Sequence, residues 1–126
     1  MIGYVVLGTN DLPRAMAFYD ALLGEIGVGR LMEFGGRGYG WAASMDKPML
    51  CIMKPFDGRP ATVGNGVMVG IAAASRDEVN RLHAKALALG GVDEGAVGPR
   101  AEGGDGFYAG YFRDLDGNKL DVFCYA

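Results

Sequence analysis

The chain has 126 residues, of which 50% are hydrophobic and 21% charged, and its 12 Lys and Arg against 15 Asp and Glu give a formal net charge of −3. A chain of this size can bury a core of its own, and this composition excludes a disordered or fibrous protein. The acidic balance excludes the positive footprint of a nucleic-acid binder. The longest apolar stretch, residues 67–74, falls far short of the roughly 20 residues that a bilayer requires, so no membrane partner is expected either.

The chain begins with Met1-Ile2-Gly3-Tyr4 and reaches Asn10-Asp11 without the basic leader and apolar run of a signal peptide, so the expected location is the cytoplasm. Residues 2–8 are rich in β-formers and are expected as the first strand. Thr9-Asn10-Asp11 then offers N-cap chemistry, with Pro13 inside the first turn. Leu12, Ala15, Met16, Tyr19, Leu22 and Leu23 recur at helical spacing, and Gly24 is the expected stop. Strands are expected at residues 28–34, 39–44 and 48–54, with turns at Gly35-Gly36 and Asp46-Lys47-Pro48.

Residues 55–66 carry Asp57-Gly58, Pro60 and Asn65-Gly66 and form the longest loop and the expected hinge. The pattern then restarts. Residues 67–74 read as a strand, and Ser75 with Glu78 forms a capping box opening a helix with the stripe Val79, Leu82, Ala86 and Leu89. Gly90-Gly91 ends that helix, and strands follow near residues 92–97, 107–113 and 119–125. The chain therefore reads βαβββ twice, in modules of about 1–56 and 66–126 joined by loop 57–65. The interval from Asp11 to Asp77 equals that from Gly24 to Gly90, and neither half could cover its own sheet. The 22 glycines are well over twice the usual share of ~7% and follow no fixed period, which implies frequent turns rather than a linker. Cys51 and Cys124 lie in apolar runs and are expected as buried free thiols.

Four stretches carry a resemblance to a known family: Leu7-Gly8-Thr9-Asn10-Asp11-Leu12 leading to Ala17-Phe18-Tyr19-Asp20, Lys54-Pro55-Phe56-Asp57-Gly58 leading to Gly64-Asn65-Gly66, Ala73-Ala74-Ser75-Arg76 through Gly90-Gly91 to Gly98-Pro99-Arg100, and Arg113-Asp114-Leu115-Asp116-Gly117-Asn118-Lys119-Leu120. In this order they resemble the vicinal oxygen chelate superfamily of glyoxalases, bleomycin- and fosfomycin-resistance proteins and extradiol dioxygenases. Leu115 stands where the family's last turn usually has proline. The resemblance covers essentially the whole chain and implies an α+β fold in which two βαβββ modules form a cupped, incompletely closed mixed β-barrel with helices outside. It also implies pairing of two chains, and the open sheet edges of such modules make a homodimer the expectation.

In the family's metal-dependent members, His or Glu on the first, fourth, fifth and eighth strands hold a divalent ion that stabilises charge on vicinal substrate oxygens. Those positions fall on Tyr4, Cys51, Met68 and Asp121, and only Asp121 suits a hard or borderline metal. No metal and no other cofactor is therefore expected. A soft Cu(I) site built from the Cys51 and Met68 sulfurs stands as an alternative to sulfur side chains that merely fill a cavity. Strand alternation then gives the cup Met49 and Met53 beside Cys51, and Phe123 beside Asp121, while Leu120, Val122 and Cys124 face the helices. Tyr4, Met49, Cys51, Met53, Met68, Asp121 and Phe123 are the candidate ligand-binding residues, with Tyr4 and Asp121 as candidate acid–base groups.

Other motifs point to less. His83, the chain's one histidine, is expected at a helix edge touching solvent. The run Gly35-Gly36-Arg37-Gly38-Tyr39-Gly40-Trp41 lacks the order and the helix of a phosphate loop and reads as a hairpin turn. One histidine without partners builds no nucleophilic triad. The expected function is binding of a small organic molecule in an apolar cup by a protein that has lost the family metal site. The alternative is a lyase, isomerase or dioxygenase of the same superfamily, either with atypical metal ligands or metal-free through Asp121.

Overall fold

A computed structural model describes residues 1–126. Strand β1 (Tyr4–Gly8) leads into helix α1 (Leu12–Gly24), followed by β2 (Gly29–Glu33), β3 (Gly38–Ala42) and β4 (Met49–Met53). The same order recurs as β5 (Val69–Ala72), α2 (Arg76–Ala88), β6 (Val92–Pro99), a 3-10 turn at Ala101–Gly103, β7 (Phe107–Arg113) and β8 (Lys119–Tyr125). The chain divides into two compact units, Met1–Val63 and Gly64–Ala126. Each holds an open, mixed four-stranded sheet, ordered β1-β4-β3-β2 in the first and β5-β8-β7-β6 in the second. The α+β class and the doubled βαβββ order expected from the sequence are both present.

In the first unit, β1 runs parallel to β4, which pairs antiparallel with β3. Side chains alternate across the pleat, so Leu7, Trp41 and Ile52 point toward α1 and pack with Tyr19 and Leu22, all at most 5% exposed. Trp41 donates its indole N–H to Asp20 Oδ1 on α1 at 2.9 Å, which satisfies the one polar atom of this core ring. Asp11 caps α1 by accepting the Arg14 amide at 3.1 Å. Helix α1 ends at Gly24, as expected, and the chain turns at Gly27, whose φ of 71° is the first left-handed one after α1. Gly35 and Gly36, at φ 56° and 77°, supply the two positive-φ positions of a tight hairpin closed by Arg37 N–H to Phe34 O at 3.0 Å, as the hairpin reading requires.

In the second unit, α2 packs on the face of β7 and β8 that carries Phe112, Leu120 and Val122, which are completely buried with Val79, Leu82 and Ala86. Ser75 Oγ accepts the Glu78 amide at 3.1 Å, while Glu78 reaches back to the Ala74 amide at 3.2 Å, a capping box shifted by one residue. His83 departs from expectation. It is 7% exposed, with Nε2 3.2 Å from Asp93 Oδ1 and 3.1 Å from the Tyr111 carbonyl. Both neighbours accept, so this nitrogen carries the proton. Both cysteines are free and buried, as expected.

The Asp114–Asn118 turn joins β7 to β8 and sets their register. Asp114 is 4% exposed and accepts from the amides of Asp116 and Asn118, each at 2.9 Å, and from Asn118 Nδ2 at 3.0 Å. Gly117, at φ 87°, closes the turn. Because the carboxylate satisfies several buried donors at once, Asp114→Ala should destabilise the protein by about 3 kcal/mol. Urea unfolding measures this, and a loss below about 1 kcal/mol would show that backbone pairing alone holds the turn.

Candidate functional site

The open face of the first sheet holds a cavity of about 530 Å3, within the size range of small-molecule pockets. It lies on the side of the pleat away from α1. Tyr4 and Val6 line it from β1, Met49, Cys51 and Met53 from β4, and Met32 and Phe34 from the β2 end of the sheet. Met45, Lys47 and Arg37 stand around it from the turns. The register explains the arrangement, because Tyr4 pairs with Met49, Val6 with Cys51 and Gly8 with Met53.

Strand β3 lies beneath this lining and presents only Gly38 and Gly40 opposite Met53 and Cys51. A Cβ on Gly40 would overlap Met49 Sδ, and one on Gly38 would stand 2.5 Å from Met53 Cγ. The missing side chains therefore let the thioethers lie flat across the strand. Cys51 is 1% exposed, and burial pushes its thiol above the ordinary range, so it is a neutral soft group at neutral pH.

The second unit has its own polar centre. Asp121 on β8 pairs in register with Gly70 on β5 and Tyr111 on β7. It is 3% exposed, and no hydrogen bond reaches its Oδ1. Burial pushes its carboxyl up to about 6, against a smaller opposing pull from Lys119. A Cβ on Gly70 would stand 2.7 Å from that oxygen, so glycine leaves the room the carboxyl occupies. Tyr111 is itself pushed up, first by burial and then by the Asp121 charge, and its ring lies 5.4 Å from the Arg100 guanidinium carbon and 5.7 Å from Lys119 Nζ. Arg113 lies close in sequence but is engaged elsewhere, with Glu94 at 2.7 Å and the Gly117 carbonyl at 3.1 Å. Phe123 shares the Asp121 face and stacks on Phe107 with ring centroids 5.7 Å apart.

Of the residues singled out from sequence, Tyr4, Met49, Cys51 and Met53 come together in one cavity. Asp121 and Phe123 lie on the open face of the second sheet, and Met68 sits just before β5 rather than in it, 46% exposed. Sequence reasoning missed Met32, Phe34, Met45, Arg37 and Lys47. Alternation along residues 28–34 carried the signal for the first two, whereas the others project from turns that have no period. It also missed Tyr111 as the phenol nearest Asp121 along the sheet, although β7 alternation puts the two on one face.

A family model described as the glyoxalase/bleomycin resistance protein/dioxygenase superfamily matches residues 1–122. The chain belongs to that superfamily. A glyoxalase/bleomycin resistance protein from Albidiferax ferrireducens T118 is similar at 36% identity and a TM-score of 0.88, covering 100% of this chain and 99% of that one. Two others share the fold: lactoylglutathione lyase from Agrobacterium tumefaciens (22% identity, TM-score 0.71, 98% and 92% covered) and TioX from Micromonospora sp. ML1 (14% identity, TM-score 0.69, 100% and 99% covered). Comparison with curated proteins finds no match.

The residues present do not fit the divalent ion of the metal-dependent members. The four positions supply a phenol, a thiol held neutral by burial, a thioether and a carboxyl pushed up to about 6. In neither unit do three His, Cys, Asp or Glu side chains gather as a metal site.

The Asp121 shift has a defined sign. The unfolded carboxyl titrates near ~3.9, so between that value and about 6 the folded protein holds more protons than the unfolded chain. The stability this contributes is present below pH ~4 and is lost as pH rises through about 6. Asp121→Asn removes the titration, so parent and variant should diverge by about 2–3 kcal/mol between pH 4 and 7.5, in the variant's favour. Parallel stability curves from urea unfolding across that window would show that Asp121 is not buried as described.

Proposed function

We propose that this superfamily member binds a small organic molecule in the methionine-lined cavity of its first unit, with Tyr4, Met49, Cys51 and Met53 in contact with the ligand. The observation that carries the reading is the lining itself. Four thioethers and a neutral thiol surround about 530 Å3 of open space above a strand stripped to glycine. Methionine side chains are flexible and polarisable, so they adapt to a ligand's shape, whereas a cavity meant to stay closed would be packed with branched side chains. Met68, Asp121 and Phe123 enter as a second candidate group, carried by the resemblance and by strand alternation.

One observation favours a second reading, acid–base chemistry without a metal. Asp121 has an unpartnered buried oxygen and a carboxyl pushed up to about 6, the range in which a carboxyl can both give and take a proton near neutrality. One carboxyl defines a proton donor and not a reaction, so binding stands first. The neighbours' names, glyoxalase, lyase and resistance protein, span both readings and decide neither.

A ligand at 100 times its Kd should raise stability by ~2.7 kcal/mol. With methyl-labelled methionine, hits from a thermal-shift screen should move the NMR signals of Met32, Met45, Met49 and Met53 and leave Met16 on α1 unmoved. Stabilising ligands that leave those four signals in place would overturn the reading.

A homodimer is the proposed assembly, supported by the free outer edge of β2, all five residues of which are exposed. Light scattering at micromolar concentration should report twice the 13.3 kDa chain mass. A monomer mass would remove the proposal.

A further inference from the structure

The cavity's charges narrow the class of molecule it takes, an inference that rests on the binding reading above. The chain as a whole is acidic, at −3. Yet the only ionisable side chains around the cavity that are charged at neutral pH are cations, Arg37 and Lys47, and no carboxylate lines it. The rest of the lining is sulfur, aromatic and aliphatic.

Arg37 is held in position. Its Nε donates to the Lys54 carbonyl at 3.3 Å, and its guanidinium carbon lies 5.3 Å from the centre of the Phe56 ring. Nε is thereby engaged, which leaves the terminal nitrogens of the planar group to meet a ligand. It also stands at a junction, because Arg37, Val6 and Met53 line both the main cavity and a second one of about 420 Å3 beside residues 54–62. Lys47 comes from the β3–β4 turn, exposed, and supplies a mobile point charge.

The apolar part is as specific as the charged part. Thioether sulfur gains energy from contact with aromatic rings, which an alkyl chain does not elicit. Gly38 and Gly40 leave the underlying strand bare, so Met49 and Met53 form a flat polarisable surface rather than a knobbed one. We propose that the cavity of the first unit selects flat aromatic anions, with the ring on the methionine surface and the carboxylate or sulfonate at Arg37 and Lys47.

Four matched probes test this by calorimetry and methionine-methyl NMR: 2-naphthoate, 2-naphthylmethanol, 2-naphthylmethylamine and octanoate. Naphthoate should bind about tenfold more tightly than the alcohol and the octanoate, with the amine weakest, a tenfold ratio being ~1.4 kcal/mol. Its Kd should rise with salt. The Arg37→Gln/Lys47→Gln double variant should bring the naphthoate and alcohol Kd values together, and Lys47→Gln alone, an exposed position, should close part of that gap. Equal affinity for acid, alcohol and amine, with the four methionine signals still responding, would overturn the anion selection and leave the binding reading standing. Octanoate matching naphthoate would overturn the aromatic selection. If no probe moves those signals, the binding reading fails together with this one.

Discussion

The pleat of β4 governs the first half of this molecule. A strand alternates its side chains without choice, so the sequence Met49-Leu50-Cys51-Ile52-Met53 must send Leu50 and Ile52 one way and three sulfur-bearing side chains the other. Ile52 is completely buried on the α1 side, which fixes the register. A slip of one residue would bury the sulfurs against the helix and expose isoleucine. Parallel pairing with β1 and antiparallel pairing with β3 then decide what the sulfurs meet: Tyr4 and Val6 on one flank, bare glycine on the other. The cavity follows from this one constraint together with the choice of glycine at 38 and 40.

The second unit repeats the topology with different chemistry. Its sheet order matches the first strand for strand, and β8 occupies the place of β4. There the inward alternation delivers Asp121 and Phe123 instead of sulfur. The carboxyl lies over a glycine, Gly70, much as the thioethers lie over Gly38 and Gly40. In both units, glycine on a neighbouring strand makes room for an unusual side chain on the central one. The two units share one scaffold, and each open face has its own character.

The family's metal chemistry depends on imidazole and carboxylate donors held ready in ionised or neutral basic form. In this chain the corresponding groups are held in the opposite state, since burial keeps Cys51 protonated and moves Asp121 toward protonation. The same desolvation opposes the ionised form that a metal ligand at either position would need. Superfamily membership thus fixes the scaffold, while the identity of a few inward side chains sets what the scaffold can hold.

Sequence by itself determined the element order, the doubled βαβββ pattern, both helix caps, the Gly35-Gly36 hairpin and the face that Met49, Cys51 and Met53 share. These are set by local propensity and by periods of two and 3.6 residues, which a linear reading sees directly. Tertiary structure alone decided the rest. It placed Met45, Lys47 and Arg37 at the cavity, because turns carry no period. It put the left-handed turn that follows α1 at Gly27, with Val28 N–H bonded back to the Leu23 carbonyl at 3.0 Å. It buried His83 against Asp93 and Tyr111, and it left Asp121 Oδ1 without a partner while Arg113 bonds Glu94. Hydrogen-bond partners are chosen among residues distant in sequence, and only the folded chain brings those choices together.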